Sequence, residues 1–222
     1  MISMNKTFSK GEAIRFGWEQ VKKDPVLWLG VVWAAMGIPL LVSLASTILE
    51  GEEQNPFFAF VLFLVVLVLS LGLQLGVNRA ILNGIDGEKV SFGQLWGQFG
   101  KVLSFLVTQI FVVFIVILGL LLFIIPGIIW GIKYSFVPYI MADKKVGPME
   151  ALKQSGAITQ GVKWKLLVFN IVMGLVMVAG VLALGVGVLV ALPVITIAQG
   201  YVYRKLEQQT AAEQIPQAQP VS

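Results

Sequence analysis

Residues 102–142 carry one formal charge, Lys133. An apolar run of that length is nearly twice the ~20 residues with which a helix crosses a hydrocarbon core. The chain must therefore cross a bilayer, reverse within or just outside the lipid, and return without a polar loop. Lipid offers no water to backbone N–H and C=O groups, so both crossings must be helical and the turn must satisfy its own backbone. Gly119 and the pair Pro126 and Gly127 are the candidate breakers, and equal division of the run puts the turn between them. Composition agrees: 57% of residues are hydrophobic and 13% charged, where soluble domains carry about 25% charge. The chain reads as an all-α integral membrane protein.

Three more stretches follow the same rule. Residues 26–49 are an uncharged run after Asp24 and Pro25, long enough for one span, with Pro39 inside it predicting a kink because proline has no N–H to donate. Residues 50–56 form a short acidic loop without Lys or Arg, and 57–77 supply the second span. Residues 166–206 again hold about two spans. Leu184 and Gly185 interrupt them and Pro193 follows, much as Leu118 and Gly119 are followed by Pro126 in the central run. Pro138 predicts a kink in span four. Small residues recur at four-residue intervals in three places: Gly72, Gly76, Ala80 and Gly84; Gly127, Gly131 and Ser135; Ala179, Ala183, Gly187 and Ala191. Such ladders let helix backbones approach closely in a bilayer.

Between the spans lie amphipathic segments. Ser9 with Glu12 fits a capping box at a helix start, and Ala13, Ile14, Gly17, Trp18 and Val21 then share one face. Two readings stand open: a helix lying in the interface with Trp18 at the acyl boundary, or one packed on the protein's own end. Ser91 with Gln94 repeats the capping box, and Phe92, Leu95, Trp96 and Phe99 form an i, i+3, i+4, i+7 stripe that predicts a second interfacial helix. Pro148 and Glu150 suit the start of a third. The chain thus reads as one polytopic domain over 1–206, with six transmembrane helices, three interfacial helices and a threefold internal repeat of about 7–85, 90–142 and 146–206. The Gln-, Ala- and Pro-rich tail, 207–222, is too polar to bury and predicts disorder.

Residues 1–24 are polar, basic and helix-patterned rather than built like a cleaved signal, so no leader is expected to be removed. All 16 Lys and Arg fall in the N-terminal segment, the two returning corners, span four and the C-terminal end. By the positive-inside rule both termini are cytoplasmic, in a bacterial-type plasma membrane. The basic corners then serve orientation and contact with anionic headgroups, which makes the lipid bilayer the expected partner and leaves no case for nucleic acid despite a pI near 9.3. A protein partner or a homo-oligomer stays open.

The chemistry is sparse. Without Cys or His, thiolate chemistry is excluded and the commonest metal ligand and near-neutral general base are missing. All 12 carboxylates sit at helix ends or in loops, and no nucleophile elbow, zinc-helix or phosphate-loop motif occurs. Neither catalytic residues nor a metal or cofactor are expected. Inside the spans remain Lys133 and the amides Gln74, Asn78, Gln109, Asn170 and Gln199. Lys133 is a candidate for a lipid phosphate or an anionic solute, because an intramembrane charge is costly and therefore usually functional. The preferred alternative is that its stem carries the ammonium to the cytoplasmic interface. The amides are candidate ligand contacts but more often serve as interhelical hydrogen bonds.

Residues 122–165 carry a recognisable pattern: IPGIIWGIKYSFVPYIMADKK, then MEALKQSGAITQG and a basic, aromatic lead into the next span. With Pro126, Gly127, Pro138, Asp143, Glu150, Ala151, Ser155 and Gly161, this stretch resembles the membrane domain fused to some glycerophosphodiester phosphodiesterases and allied bacterial multi-spanning proteins of unknown function. The resemblance implies the six-span layout. It implies no hydrolysis, since the catalytic barrel of the fused enzymes has no counterpart here. The expected function is a non-enzymatic, lipid-associated structural or accessory membrane protein, with a transporter or channel for a small solute, anionic ones included, or a lipid as the alternative.

Overall fold

A computed structural model describes residues 6–50, 55–183 and 186–214. Part of the acidic loop, Gly185 and the last eight residues of the tail lie outside them. The described residues form nine α-helices: α1 Lys10–Lys23, α2 Pro25–Glu50, α3 Pro56–Ile85, α4 Val102–Leu122, α5 Ile124–Lys133, α6 Val137–Asp143, α7 Pro148–Thr159, α8 Lys163–Leu182 and α9 Val186–Gln214. Six stretches are long and apolar enough to cross a membrane: α2, α3, α4 with the turns before it, α5 together with α6, α8, and α9. This is a multi-pass helical membrane protein.

The central turn falls at Phe123, between the two sequence candidates. Its extended backbone (φ −162°, ψ 148°) separates α4 from α5. Its N–H still donates to the Gly119 carbonyl at 3.0 Å, and its own carbonyl accepts from the Gly127 N–H at 3.3 Å. The reversal therefore leaves little backbone unsatisfied, as lipid requires. Gly119 and Gly127 face each other so closely that a methyl on either would collide with the opposite helix. Pro126 sits in the first turn of α5, where a missing N–H costs nothing, and is not the turn. Pro39 and Pro193 both lie inside continuous helices, so the second double span does not turn at Pro193; α8 ends at Leu182 and α9 begins at Val186, and the other candidate, Leu184 with Gly185, lies outside the described residues. Around the Phe123 turn the exposed side chains are Leu121, Leu122, Phe123, Ile124 and Ile125, all apolar.

Span four is broken rather than kinked. α5 ends at Lys133, residues 134–136 turn, and α6 restarts with Pro138 in its first turn. The free carbonyl this break creates is claimed from outside: Ser155 of α7 donates its hydroxyl to the Lys133 oxygen at 2.7 Å, joined by Thr159 at 3.4 Å. Both hydroxyl residues are fully buried. The third amphipathic segment, α7, is thereby fixed to the bundle by the defect it repairs.

Two sequence expectations are corrected here. Residues 91–101 do not form a helix; they make two short 3₁₀ turns, Phe92–Leu95 and Phe99–Lys101, and Ser91 makes no capping bond. Gly93, Gly97 and Gly100 disfavour a continued helix, while apolar residues spaced by three suit 3₁₀ geometry equally well. The turns bring half of their stripe inward, with Leu95 buried and the Phe99 ring on Gly72, while Phe92 and Trp96 stay exposed. The second correction concerns the tail. α9 continues through Glu207 to Gln214, because Glu207, Gln209 and Glu213 find partners on Lys144, Thr7 and Lys6.

α1 is capped by Ser9, whose hydroxyl accepts from the Glu12 N–H at 3.3 Å. The reciprocal half of the box is not made, since the Glu12 carboxylate turns to α9. Ala13, Gly17 and Val21 are buried there, and Gly17 lies against the Val194 carbonyl. Trp18, by contrast, is 47% exposed. The deepest packing joins α3, α6 and α9: Phe136, Tyr139 and Tyr203 cluster with ring centroids 5.7–6.5 Å apart, beside Leu73, Ile81, Ile140 and Ile197.

Candidate functional site

Three polar regions stand out against the apolar exterior. The first is a charged latch at the ends of α3, α6 and α9. Asp143 accepts from Arg79 at 2.9 Å and from Arg204 at 2.8 Å, with the Tyr203 hydroxyl at 3.3 Å. Arg204 also holds Asp86 through a forked pair at 2.6 and 3.0 Å and reaches Glu207 at 2.7 Å. Glu207 in turn binds Lys144 at 2.6 Å. Lys101 donates to the last carbonyls of this corner, those of Met141, Ala142 and Lys144. A cleft of ≈ 640 Å³ opens beside Arg204 and Glu207. Its charges are largely matched, so the latch is a structural clasp. Sequence reasoning missed it, although each residue stands at a span end in a basic corner.

The second region surrounds Lys133, at the C-terminal end of α5. Its stem lies on Gly156 of α7, whose missing side chain leaves the room. Its ammonium sits 5.0 Å over the Tyr134 ring. Lys153 and Lys163 join it around a cleft of ≈ 750 Å³ that no carboxylate lines, with Phe111 and Ile115 of α4 forming the apolar wall. Lys163 also borders a narrow crevice of ≈ 160 Å³ between α5 and α8, walled by Ile125, Ile128, Ile129 and Trp164.

The third region gathers four of the five amides on the far side of the broken span. Gln74, Asn78 and Gln199 line a cleft of ≈ 570 Å³ between α2, α3 and α9. Asn170 and Gln199 line one of ≈ 460 Å³ against α8. The two clefts share Ser135, Tyr139, Leu192, Thr196 and Gln199. None of these four amides makes a side-chain hydrogen bond to protein among the described residues, so they are not interhelical ties there. Gln109 is half-buried on α4 and borders neither cleft. The Tyr139 hydroxyl, by contrast, donates to the Thr196 carbonyl at 3.0 Å.

Among the small residues, Gly72 receives the Phe99 ring, Gly76 the Leu95 backbone, and Gly187 lies against Gly180 with the Ala183 methyl nearby. Gly127 meets Leu120. Gly131 touches nothing within 4 Å of where a side chain would start, so the packing role expected for it is not seen. No group of three or more acidic, His or Cys side chains able to hold a metal comes together among the described residues. The lysine cleft thus presents cationic groups with no carboxylate in its lining, and the amide clefts present uncharged polar groups.

The profile of a family described as proteins of unknown function, DUF975, matches residues 55–210. An uncharacterised protein of Mycobacterium tuberculosis (strain ATCC 25618 / H37Rv) is 27% identical over 242 aligned positions, covering 96% of this chain and 73% of that protein. An uncharacterised protein of Mycobacterium bovis (strain ATCC BAA-935 / AF2122/97) matches with the same identity and coverage. No solved structure matches the chain. These matches do not carry the link to the membrane domains fused to glycerophosphodiester phosphodiesterases.

Proposed function

We propose, on the premise that the chain belongs to the DUF975 family of proteins of unknown function, that it is a non-enzymatic, lipid-associated accessory protein of a bacterial-type plasma membrane. In this reading both termini and the basic corners face the cytoplasm. The observation that carries it is the polarity of the bundle. Arg79, Lys101, Lys144 and Arg204 converge at one end, whereas the opposite end of α4 turns on exposed Leu121, Phe123 and Ile124. A cationic end beside an anionic leaflet is the arrangement that positive-inside insertion favours.

α1 and α7 lie at the interface in this reading, supported by the exposure of Trp18 and Met149 (47% and 71%) beside neighbouring lysines. The threefold repeat belongs to it as well. Its support is the recurrence of a glycine-to-glycine backbone contact at two reversals, Gly119 with Gly127 and Gly180 with Gly187. Its headgroup-facing surface is basic, which fits an association with anionic lipid.

Because the chain has no Cys, single cysteines report topology without background. Cysteines at Lys10 and Glu88 should react with a membrane-impermeant maleimide only after cells are opened, and the protein should stay in membranes through alkaline extraction. Labelling of Lys10→Cys in intact cells, or release by alkali, would overturn the reading.

A second reading, transport of a small solute, is favoured by one observation: unpaired amides flank a discontinuous span, as in transporters whose broken helices line a binding site. Flux of uncharged solutes into proteoliposomes, lost in Asn78→Leu/Gln199→Leu, would support it over the first.

A further inference from the structure

Lys133 and Lys163, half-buried, and Lys153, exposed and also bordering the carboxylate-bearing cleft beside Arg204, differ from the cations that pack inside the bundle. Lys144, Lys205, Lys6, Arg79 and Arg204 are each paired with a carboxylate, and Lys101 is spent on backbone carbonyls. The three cleft lysines have no anionic partner among the described residues, and their shared cleft contains no Asp or Glu. Like charges gathered without a counter-ion repel one another, so the arrangement is stable against an anion from outside the chain. The backbone of Lys133 is held by Ser155 and Thr159 and its stem is seated on Gly156. The ammonium is thus positioned and not freely waving.

The surroundings specify which anion. One wall of the cleft is Phe111 and Ile115 of the membrane-spanning α4, which a small hydrated anion has no reason to prefer. Lys163 is also the rim of the apolar crevice between α5 and α8. A ligand with a negative headgroup and a hydrocarbon chain meets both features at once. We propose that Lys133, Lys153 and Lys163 bind the phosphate of an anionic phospholipid, one of whose acyl chains lies in the crevice formed by Ile125, Ile128, Ile129, Ile132 and Trp164. This rests on the lipid-associated reading above and gives that reading a defined site.

The test uses the full-length protein in nanodiscs and native mass spectrometry after gentle release. The probes are phosphatidylglycerol and phosphatidylcholine with identical acyl chains, and inorganic phosphate as competitor. Wild type should retain phosphatidylglycerol over phosphatidylcholine. Each lysine replaced should lower that preference about fivefold, the equivalent of ~1 kcal/mol for a basic residue at an anionic lipid surface. Lys133→Gln and Lys153→Gln/Lys163→Gln are the variants. Lys153 is exposed, so the second keeps the test alive if the first fails to fold. Ile129→Trp, which fills the crevice, should release phosphatidylglycerol while the lysines remain.

Equal retention of the two lipids by wild type, or unchanged preference in the lysine variants, would overturn the site. Displacement of phosphatidylglycerol by excess inorganic phosphate would show a free-anion site and overturn the lipid. A protein that stays in membranes through alkali yet shows no anionic preference defeats this inference alone. One that leaves membranes defeats the reading beneath it.

Discussion

Asp143→Asn tests whether the charged latch holds the bundle together. The substitution keeps the size of the side chain and one acceptor but removes the charge that faces both Arg79 and Arg204. Arg204 would retain Asp86 and Glu207, whereas Arg79 has no other carboxylate. The orphaned guanidinium sets the magnitude. Breaking a fully buried pair costs about 3–5 kcal/mol, and an exposed pair is worth at most ~1 kcal/mol. The Asp143, Arg204 and Arg79 side chains are 11%, 14% and 32% exposed, which places the loss between those limits, at roughly 2–3 kcal/mol. For a chain of this length that corresponds to a fall in apparent Tm of about 5–10 °C, read from tryptophan fluorescence in detergent at a fixed scan rate. Arg79→Gln added to Asp143→Asn removes the stranded charge along with its partner, so the double variant should lose less than the sum of the singles. A single variant melting within about 1 °C of wild type, a small fraction of the shift expected from the scaling, would refute the argument, as would strict additivity.

Two further outcomes follow from contacts at helix surfaces. Gly76→Leu should disrupt the seat of the 3₁₀ turns on α3, since even a methyl would strike the Leu95 backbone, and should lower Tm by several degrees; Gly131→Ala, with nothing nearby, should leave it unchanged. The hydrogen bond from Tyr201 and then that from Lys205 hold the Glu12 carboxyl below its usual value. A carboxylate with a depressed folded pKa stabilises above its unfolded pKa, about 4.3, and loses that contribution as pH falls through the folded value. Docking of α1 on α9 should therefore be firm at neutral pH and loosen only below pH ~4; a fluorophore pair across the two helices would report it, and Glu12→Gln should remove the acid transition.

The spans were legible because lipid enforces a simple rule of length and apolarity, and the central turn because two helices of equal span must divide a run in half. What the sequence could not show is whatever depends on distant partners. The segment 91–101 has a stripe compatible with two helical periods, and three glycines decided for the tighter one. Glu207 and Glu213 look like solvated tail until Lys144 and Lys6 are brought alongside. The latch joins Arg204 to Asp86 across a sequence separation of 118, beyond any local pattern. Lys133 was legible as an anomaly, but its companions Lys153 and Lys163 lie on a different helix and at the start of a third, and only the fold makes them one cleft. The amides were recognised individually, while their grouping around Ser135 and Thr196 depends on the break between α5 and α6, which Pro138 suggested only as a kink.

The fastening of α1 to α9 has a consequence for how the protein is made. Thr7 and Gln209 exchange hydrogen bonds, Lys6 reaches Glu213, and Glu12 is held by Lys205 and Tyr201, so α1 finds its partner in a helix that is synthesised only after every helix between them. Until then the Ala13, Gly17 and Val21 face of α1 has nowhere in the protein to go, and the membrane surface is the shelter at hand. The arrival of α9 then covers that face and leaves Trp18 on the outer side of α1.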